Sequence, residues 1–448
     1  MAKASSLKIW QTHFWCFNVK NQRLNRIPIY FYQKFTLLEE NQNIKKKRFK
    51  EMVETEHLVK QEIAKLQALL RQMRIFDDNG KLEDYCLSYL QKKTANKPLR
   101  AYFVRKMYEY LAVYPECDKA FQNYPDAEVL FLQKLPFIFE VVITIQYLHN
   151  HILDEKYDVK NNNHPMVVQN LLSSNVLREL LFMYMEQELP PHFPDQKKIT
   201  ILKQAIRNLF LRVDLGQYLD KEYNHYKNWK SEMPQLAPSA PFFDELVHKA
   251  IDKTLNEVKA EMPEKAAFVE AYFQRIYLSN VYFFRCMTEV LLDLGDYCGS
   301  QHEPILLFST QYGFMLQIIN DYADFAYSED KREQNLYKTA GKKTTDLFAD
   351  LFNSNVTLPL IYHLKQGGRR KIEAYLEGGN RKKNLLMKYP KQIMQEITQS
   401  GSIQDCVLKS MDLAMSAKGF LDKENQHSGY FSHMLDMAVD NKFYQIFK

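Results

Sequence analysis

Two stretches decide how this chain is read: QYLHNHILDEKYD (146–158) and YGFMLQIINDYADF (312–325). Each is an apolar run of helical character that ends in acids. In the first, Asp154 and Asp158 stand four positions apart. In the second, Asp321 and Asp324 stand three apart, so each pair shares a helix face. Two such faces turned toward one another at the mouth of a bundle would crowd carboxylates, which is costly unless cations lie between them. Hard oxygen donors of this kind suit Mg²⁺, which keeps part of its water shell and takes phosphate oxygens to complete it. Either cluster alone reads as an ordinary solvated helix face; the pairing carries the weight.

Outward from these stretches the pattern stays helical. LPFIFEVVITIQYL (135–148) is the most apolar run, but Glu140 and Gln146 interrupt it. It is too short to span a bilayer and is read as a buried helix. Val59, Ile63, Leu66, Leu70 and Met73 repeat at helical spacing with polar residues between them. Further helices are expected over 100–114, 128–153, 166–188, 197–229, 242–259, 264–299, 303–328 and 346–366. Three more are expected over 382–399, 403–422 and about 430–447. Breaks fall at Pro190-Pro191, between Pro234 and Pro241, at Pro263 and at the pairs Gly367-Gly368 and Gly378-Gly379. No hairpin signal and no fixed-period repeat appears. The expected fold is all-α, a helical bundle around a central apolar cavity.

With 13 Gly and 16 Pro in 448 residues, the chain is no loop-rich or low-complexity sequence. Six scattered cysteines without a CxxC pair argue for reduced thiols, a cytoplasmic setting and no zinc site. Residues 1–50 hold 11 Lys and Arg against only Glu39 and Glu40, while the rest of the chain is slightly acidic. The basic character belongs to the N-terminus, so nucleic-acid binding by the main body gains no support. Residues 1–50 are read as a basic extension, either poorly ordered, a targeting segment or a membrane-surface contact. A single all-α domain is expected over 52–448.

Gly216-Gln217-Tyr218-Leu219-Asp220 lies between the two acidic motifs, and Thr357-Leu358-Pro359-Leu360 follows the second, with Asp350 seven positions ahead of Thr357. In this order and spacing the chain resembles the trans-isoprenyl diphosphate synthase family. DEKYD stands for its first aspartate-rich motif, GQYLD for its GQxxD, LQIINDYAD for its second aspartate-rich motif, and DLFNSNVTLPL for its DL…TLP segment. The resemblance implies the isoprenoid-synthase helical fold, an allylic prenyl diphosphate substrate, three Mg²⁺ ions and a homodimer. It implies that Asp154, Glu155 and Asp158 hold the first metals and that Asn320, Asp321 and Asp324 hold the remaining one. Gln217, Asp220 and Gln317 would support the site. Lys342, in a Gly-Lys pair, would reach the diphosphate, and so would Lys97 and Arg100. His149 would floor the pocket.

The departures from the family pattern matter as much. After the first motif the family carries an Arg-Arg-Gly; here the stretch is VKNNNHP (159–165). Pro98 stands for an arginine of the family's N-terminal GKRxRP. Phe283-Phe284 fall where a Lys-Thr is expected, with Arg285 the nearest cation. Each lost donor to a diphosphate removes a charge-assisted hydrogen bond of roughly 1.5–3 kcal/mol. The carboxylates for a metal-held allylic diphosphate are retained, whereas the basic pocket for isopentenyl diphosphate is stripped. Asn320-Asp321 also resembles, loosely, the start of a metal motif of class I terpene synthases. Arg275 lies 45 residues ahead of Asn320, where such enzymes carry a diphosphate-sensing arginine; from the sequence it reads as a surface residue. The expected function is therefore ionisation of a farnesyl- or geranylgeranyl-class diphosphate followed by cyclisation or elimination. The alternatives are a trans-prenyltransferase that adds isopentenyl diphosphate, and a non-catalytic subunit of a prenyl synthase. Tyr147, Tyr157, Tyr282, Tyr312, Phe314 and Tyr322 read first as core, with Phe283 and Phe284 as cavity candidates.

Overall fold

The computed structural model describes residues 42–72, 81–94, 98–153, 164–231, 243–325, 349–352, 354–365, 372–373, 376, 395–397 and 399–421. The chain divides into two units, Met1–Glu54 and Thr55–Lys448. Of the first unit, the described residues cover only 42–54, which belong to helix α1 (Gln42–Gln72). Of the expected extension over residues 1–50, residues 1–41 lie outside the described residues and 42–50 are helical.

In the second unit, α2 (Lys81–Thr94) precedes α3 (Leu99–Leu111) and α4 (Pro115–Phe121). A π turn over Leu130–Lys134 then leads without a break into α5 (Leu135–Leu153). Residues 135–146 of α5 are all buried, as a helix apolar on every side requires. Glu140 is no exception. Its Oε1 accepts a hydrogen bond from the Ala101 backbone N–H at 2.9 Å, in the first turn of α3. That N–H has no partner within its own helix, and a carboxylate suits the positive end of the helix dipole. The acid in the middle of the apolar run is thus the N-terminal cap of a neighbour.

Next come α6 (His164–Gln187), α7 (Gln196–Tyr223) and the short α8 (Tyr226–Lys230). Asp195 starts α7 by accepting from Lys198 N–H at 2.9 Å. Then follow α9 (Glu245–Glu261), α10 (Ala266–Ile276) and α11 (Tyr282–Leu294). The last are α12 (His302–Ala323), α13 (Ala349–Phe352), α14 (Leu358–Lys365) and α15 (Ser402–Leu421). Helix α12 is the inner helix: α9, α11, α14 and α15 pack around it, while α3 and α6 pack on α5 and both α10 and α11 pack on α7. Among the described residues there is no β-strand, only the single antiparallel bridge between His225 and Asn355. None of the described helices is long and apolar enough to cross a membrane.

The structure departs from the expected continuous helix over 264–299. A π turn, Tyr277–Val281, separates α10 from α11. Two glycines from distant parts of the chain meet it. A Cβ on Gly216 of α7 would sit 2.5 Å from the backbone N of Ser279, and one on Gly313 of α12 would sit 2.9 Å from Val281 Cα. The glycine of the GQYLD segment therefore allows a helix backbone to approach, and the obstacle is backbone that no side-chain rotation can move. We expect Gly216→Ala to destabilise the fold by about 1–3 kcal/mol. Gly419→Ala, where an added Cβ meets nothing within 4 Å, should instead be neutral or stabilising by up to about 1 kcal/mol. Paired thermal or denaturant melts would check the opposite signs.

Candidate active site

Three helices end at one place. Helix α5 ends at Leu153, one residue ahead of Asp154. Asp220 lies in the last turn of α7, and Asp321 in the last turn of α12. A helix C-terminus carries roughly half a negative charge. Acids there are disfavoured without a positive partner.

A belt of side-chain hydrogen bonds joins these ends. Gln217 Nε2 on α7 donates to Asn150 Oδ1 on α5 at 2.7 Å. One turn on, Asp220 Oδ1 accepts from Arg275 Nη1 on α10 at 2.6 Å and from Asn224 at 3.1 Å. Tyr272, on the same face of α10 three residues before Arg275, donates its hydroxyl to Asp321 Oδ2 at 2.6 Å. Gln317 Nε2 donates to the other oxygen of Asp321, also at 2.6 Å. The Arg275 guanidinium lies 5.1 Å from the Tyr272 ring centroid, a cation–π contact.

Asp350 reaches the same cluster because its segment is pinned to the end of α7. Val356 N–H donates to Asn224 O at 2.9 Å, and Tyr226 N–H donates to Ser354 O at 2.8 Å. The charges register this crowding. Asp321 is 3% exposed, and burial pushes its carboxyl up to about 6; Arg275 and the Tyr272 hydrogen bond oppose the shift, and Asp324 adds to it. The Asp350 carboxyl is held well above its usual range by lost hydration and by Asp324 and Asp321 beside it. Arg275, 7% exposed, is cut off from water, which works against its charge. Asp220, Asp321 and Tyr272 more than compensate and raise its pKa. Its Nε and Nη2 have no hydrogen-bond partner among the described residues.

The chemistry of Asp220, Asp321, Asp324 and Asp350 suits a hard divalent cation. Even so, among the described residues no group of three His, Cys, Asp or Glu side chains is arranged to hold one. Both oxygens of Asp321 already accept protein hydrogen bonds, and Arg275 supplies one positive charge.

No family model matches the chain, and no curated protein matches it significantly. Solved structures do match. A geranylgeranyl pyrophosphate synthase from Corynebacterium glutamicum, solved with isoprenyl diphosphate and magnesium, is 14% identical over 87% of this chain and 99% of its own, with a TM-score of 0.59. A polyprenyl synthase from Caulobacter crescentus, solved with calcium and isoprenyl diphosphate, is 16% identical over 88% and 98%, with a TM-score of 0.57. A heptaprenyl diphosphate synthase from Staphylococcus aureus is 16% identical over 86% and 98%, with a TM-score of 0.52. This chain has the fold of the trans-isoprenyl diphosphate synthases.

On that fold the residues singled out in the sequence fall into three groups. Asp154, Glu155, Asp158, Lys97 and Lys342 lie outside the described residues. Gln217, Asp220, Gln317 and Asp321 meet in the belt, with Asp324 at the end of α12. Asn320 stands beside Asp321 on α12. His149, near the end of α5, shares a hydrogen bond with Ser174 at 2.9 Å and lies 3.7 Å from Asp214. The third group is packed or already paired. Arg100 lies over the Phe284 ring at 5.7 Å. Phe284 meets Phe103 and Tyr312 edge-on at 5.1 and 5.2 Å, and Phe283 meets Phe139 at 6.0 Å. Both phenylalanines are buried core. Arg285 binds Asp244 at 2.7 Å, Glu289 at 2.7 Å and the Tyr277 hydroxyl at 3.0 Å, so any diphosphate would compete with two carboxylates.

One sequence expectation is corrected outright: Arg275 is no surface arginine. It is buried because Asp220 and the Tyr272 ring hold it between α7 and α10. Tyr272 carried no sequence signal. Arg275 did carry one: it is the only basic residue between Lys265 and Arg285 in a largely apolar stretch, where an isolated cation needs a buried partner.

Proposed function

We propose that the chain is a Mg²⁺-dependent enzyme acting on allylic prenyl diphosphates, and that prenyl transfer is its first activity. The observation that carries this is the belt from Asn150 through Gln217, Asp220 and Arg275 to Tyr272 and Asp321. It brings the ends of both motif-bearing helices to one mouth of the bundle. The fold likeness to prenyl diphosphate synthases, two of them solved with isoprenyl diphosphate and a divalent ion, supports the same reading. It moves prenyl transfer ahead of the cyclisation favoured by the sequence motifs alone.

In this reading Asp154, Asp158, Asp321 and Asp324 hold the metals, with Glu155 and Asn320 beside them. Bound Mg²⁺ would neutralise the diphosphate and favour its departure. The chain's own residues set the geometry. Tyr272 and Gln317 fix the Asp321 carboxylate, Gln217 ties α7 to α5, and Arg275 holds Asp220. The apolar helices keep water from the reacting carbon.

Cyclisation or elimination stays as a second reading because of one feature. Phe284, beneath Arg100, and Phe283, against Phe139, fill the core where a diphosphate-binding cation was expected. Product analysis separates the two. With farnesyl or geranylgeranyl diphosphate, labelled isopentenyl diphosphate and Mg²⁺, prenyl transfer yields diphosphates longer by five carbons. Cyclisation yields a hexane-extractable hydrocarbon or alcohol, with or without isopentenyl diphosphate. Neither product would remove the proposal and favour the non-catalytic subunit.

The homodimer has its own support. Val168, Leu171 and Leu172 on α6, with Leu211 and Tyr218 on α7, form exposed apolar stripes at helical spacing; Leu211 is 67% and Tyr218 56% exposed. Arg178 and Asp214, 3.9 Å apart, and Arg178 over Phe210 at 4.7 Å link the two helices. Such stripes on a water-facing surface mark an interaction face. We expect Leu211→Glu with Tyr218→Glu to shift a dimer to monomer in light scattering while helicity is retained. A wild-type chain that is already monomeric would remove this part of the proposal.

A further inference from the structure

The acids at the ends of α7 and α12 already share a cation, which is paired with Asp220. Asp220, Asp321, Asp324 and Asp350 gather near the C-termini of α7 and α12, and the protein answers with the Arg275 guanidinium. Its Nη1 is 2.6 Å from Asp220, and Tyr272 bridges from the same helix to Asp321. The remaining nitrogens, Nε and Nη2, are buried and have no hydrogen-bond partner among the described residues. An arginine held in this way cannot shed its proton. It stands as a permanent positive charge in the space toward which a divalent ion would be drawn.

We propose that Arg275 is a resident cation that stands in for a metal at the α12 acids until a diphosphate is present. Without diphosphate, no divalent ion then loads at Asp321 and Asp324. The diphosphate brings enough negative charge to hold a further ion at Asp321 and Asp324 beside the guanidinium. Arg275 thereby sets an order of loading and keeps a strongly acidic, buried cluster intact in the empty enzyme. The inference rests on the reading of the α12 acids as a cation site, but it concerns the state without substrate.

The test is Mn²⁺ binding to the full-length protein without diphosphate, counted by electron paramagnetic resonance and calorimetry. Asp321→Asn in the wild-type background should leave the number of bound ions unchanged. Arg275→Gln should gain one ion per chain, Arg275→Gln with Asp321→Asn should lose that gain, and Arg275→Lys should behave as wild type. Loss of an ion in Asp321→Asn alone would overturn the proposal, even if Arg275→Gln failed to fold. So would an Arg275→Gln protein of native helicity that binds no more Mn²⁺ than wild type. Adding inorganic diphosphate separates this from the functional reading. If no ion is lost in Asp321→Asn with diphosphate present, the α12 acids are not a metal site at all.

Discussion

Asp154→Ala and Asp321→Ala should each lower Mg²⁺-dependent turnover of an allylic diphosphate by at least about 100-fold, about 2.7 kcal/mol in the barrier. On the proposed function, each removes a carboxylate that would hold cations against a departing diphosphate. Asp158→Ala should be comparable or milder. Asp321 needs a second variant, because alanine also strands the Tyr272 hydroxyl and the Gln317 amide in a buried place. Asp321→Asn has nearly the same shape and should keep the melting temperature close to wild type while activity falls. If both alanine variants turn over near the wild-type rate, the acids are not the site.

The largest expected effect on stability lies far from this mouth. Glu62 on α1 is fully buried, and Lys134 at the end of the π turn before α5 is nearly so. Their charged atoms lie 3.7 Å apart. Lys65 donates to Glu62 at 2.9 Å, and Gln133 and the Tyr184 hydroxyl donate to it as well. Burial works to raise the Glu62 carboxyl, but the Tyr184 and Lys65 hydrogen bonds and the Lys134 and Lys65 charges hold it below its usual range. Lys134 is pulled below its usual range by burial. Removing Glu62 leaves Lys134 buried with Glu188 alone at 3.2 Å, and removing Lys134 leaves Glu62 fully buried with Lys65 beside it. Glu62→Leu or Lys134→Met alone should therefore cost about 3–5 kcal/mol, and the double variant less than the sum of the two. A denaturant-melt cycle checks this; additive costs would contradict it. Because the folded-state pKa of Glu62 is depressed, its stabilising contribution should be present at neutral pH and be lost as the pH falls below the ordinary carboxylate range.

Much of the fold was legible in the sequence because its helices are long and periodic. The apolar runs ahead of the acids became α5 and α12, and Gly216-Gln217-Tyr218-Leu219-Asp220 became the last turns of α7. The π turn at Tyr277–Val281 was not legible. Tyr277, Leu278 and Val281 are as apolar as the helices on either side, and the close approaches there come from Gly216 and Gly313, distant in the chain. The meeting of side chains at the candidate site was half legible for a similar reason. Asp220, Asp321, Gln217 and Gln317 follow from spacing and resemblance. Arg275 and Tyr272 gain their roles only when α10 is laid against α7 and α12, which no local pattern encodes. The DL segment gave Asp350 its place, but only the pairing of 354–356 with the end of α7 brings it to the acids.

The most direct test of the central claim is a crystal structure of the protein with Mn²⁺ and a thiolodiphosphate analogue of farnesyl diphosphate, with anomalous data at the manganese edge. The account predicts manganese peaks between Asp154 and Asp158 on one side and Asp321 and Asp324 on the other, with the analogue's phosphates bridging them. Manganese bound elsewhere, or a diphosphate seated away from both acidic motifs, would contradict it.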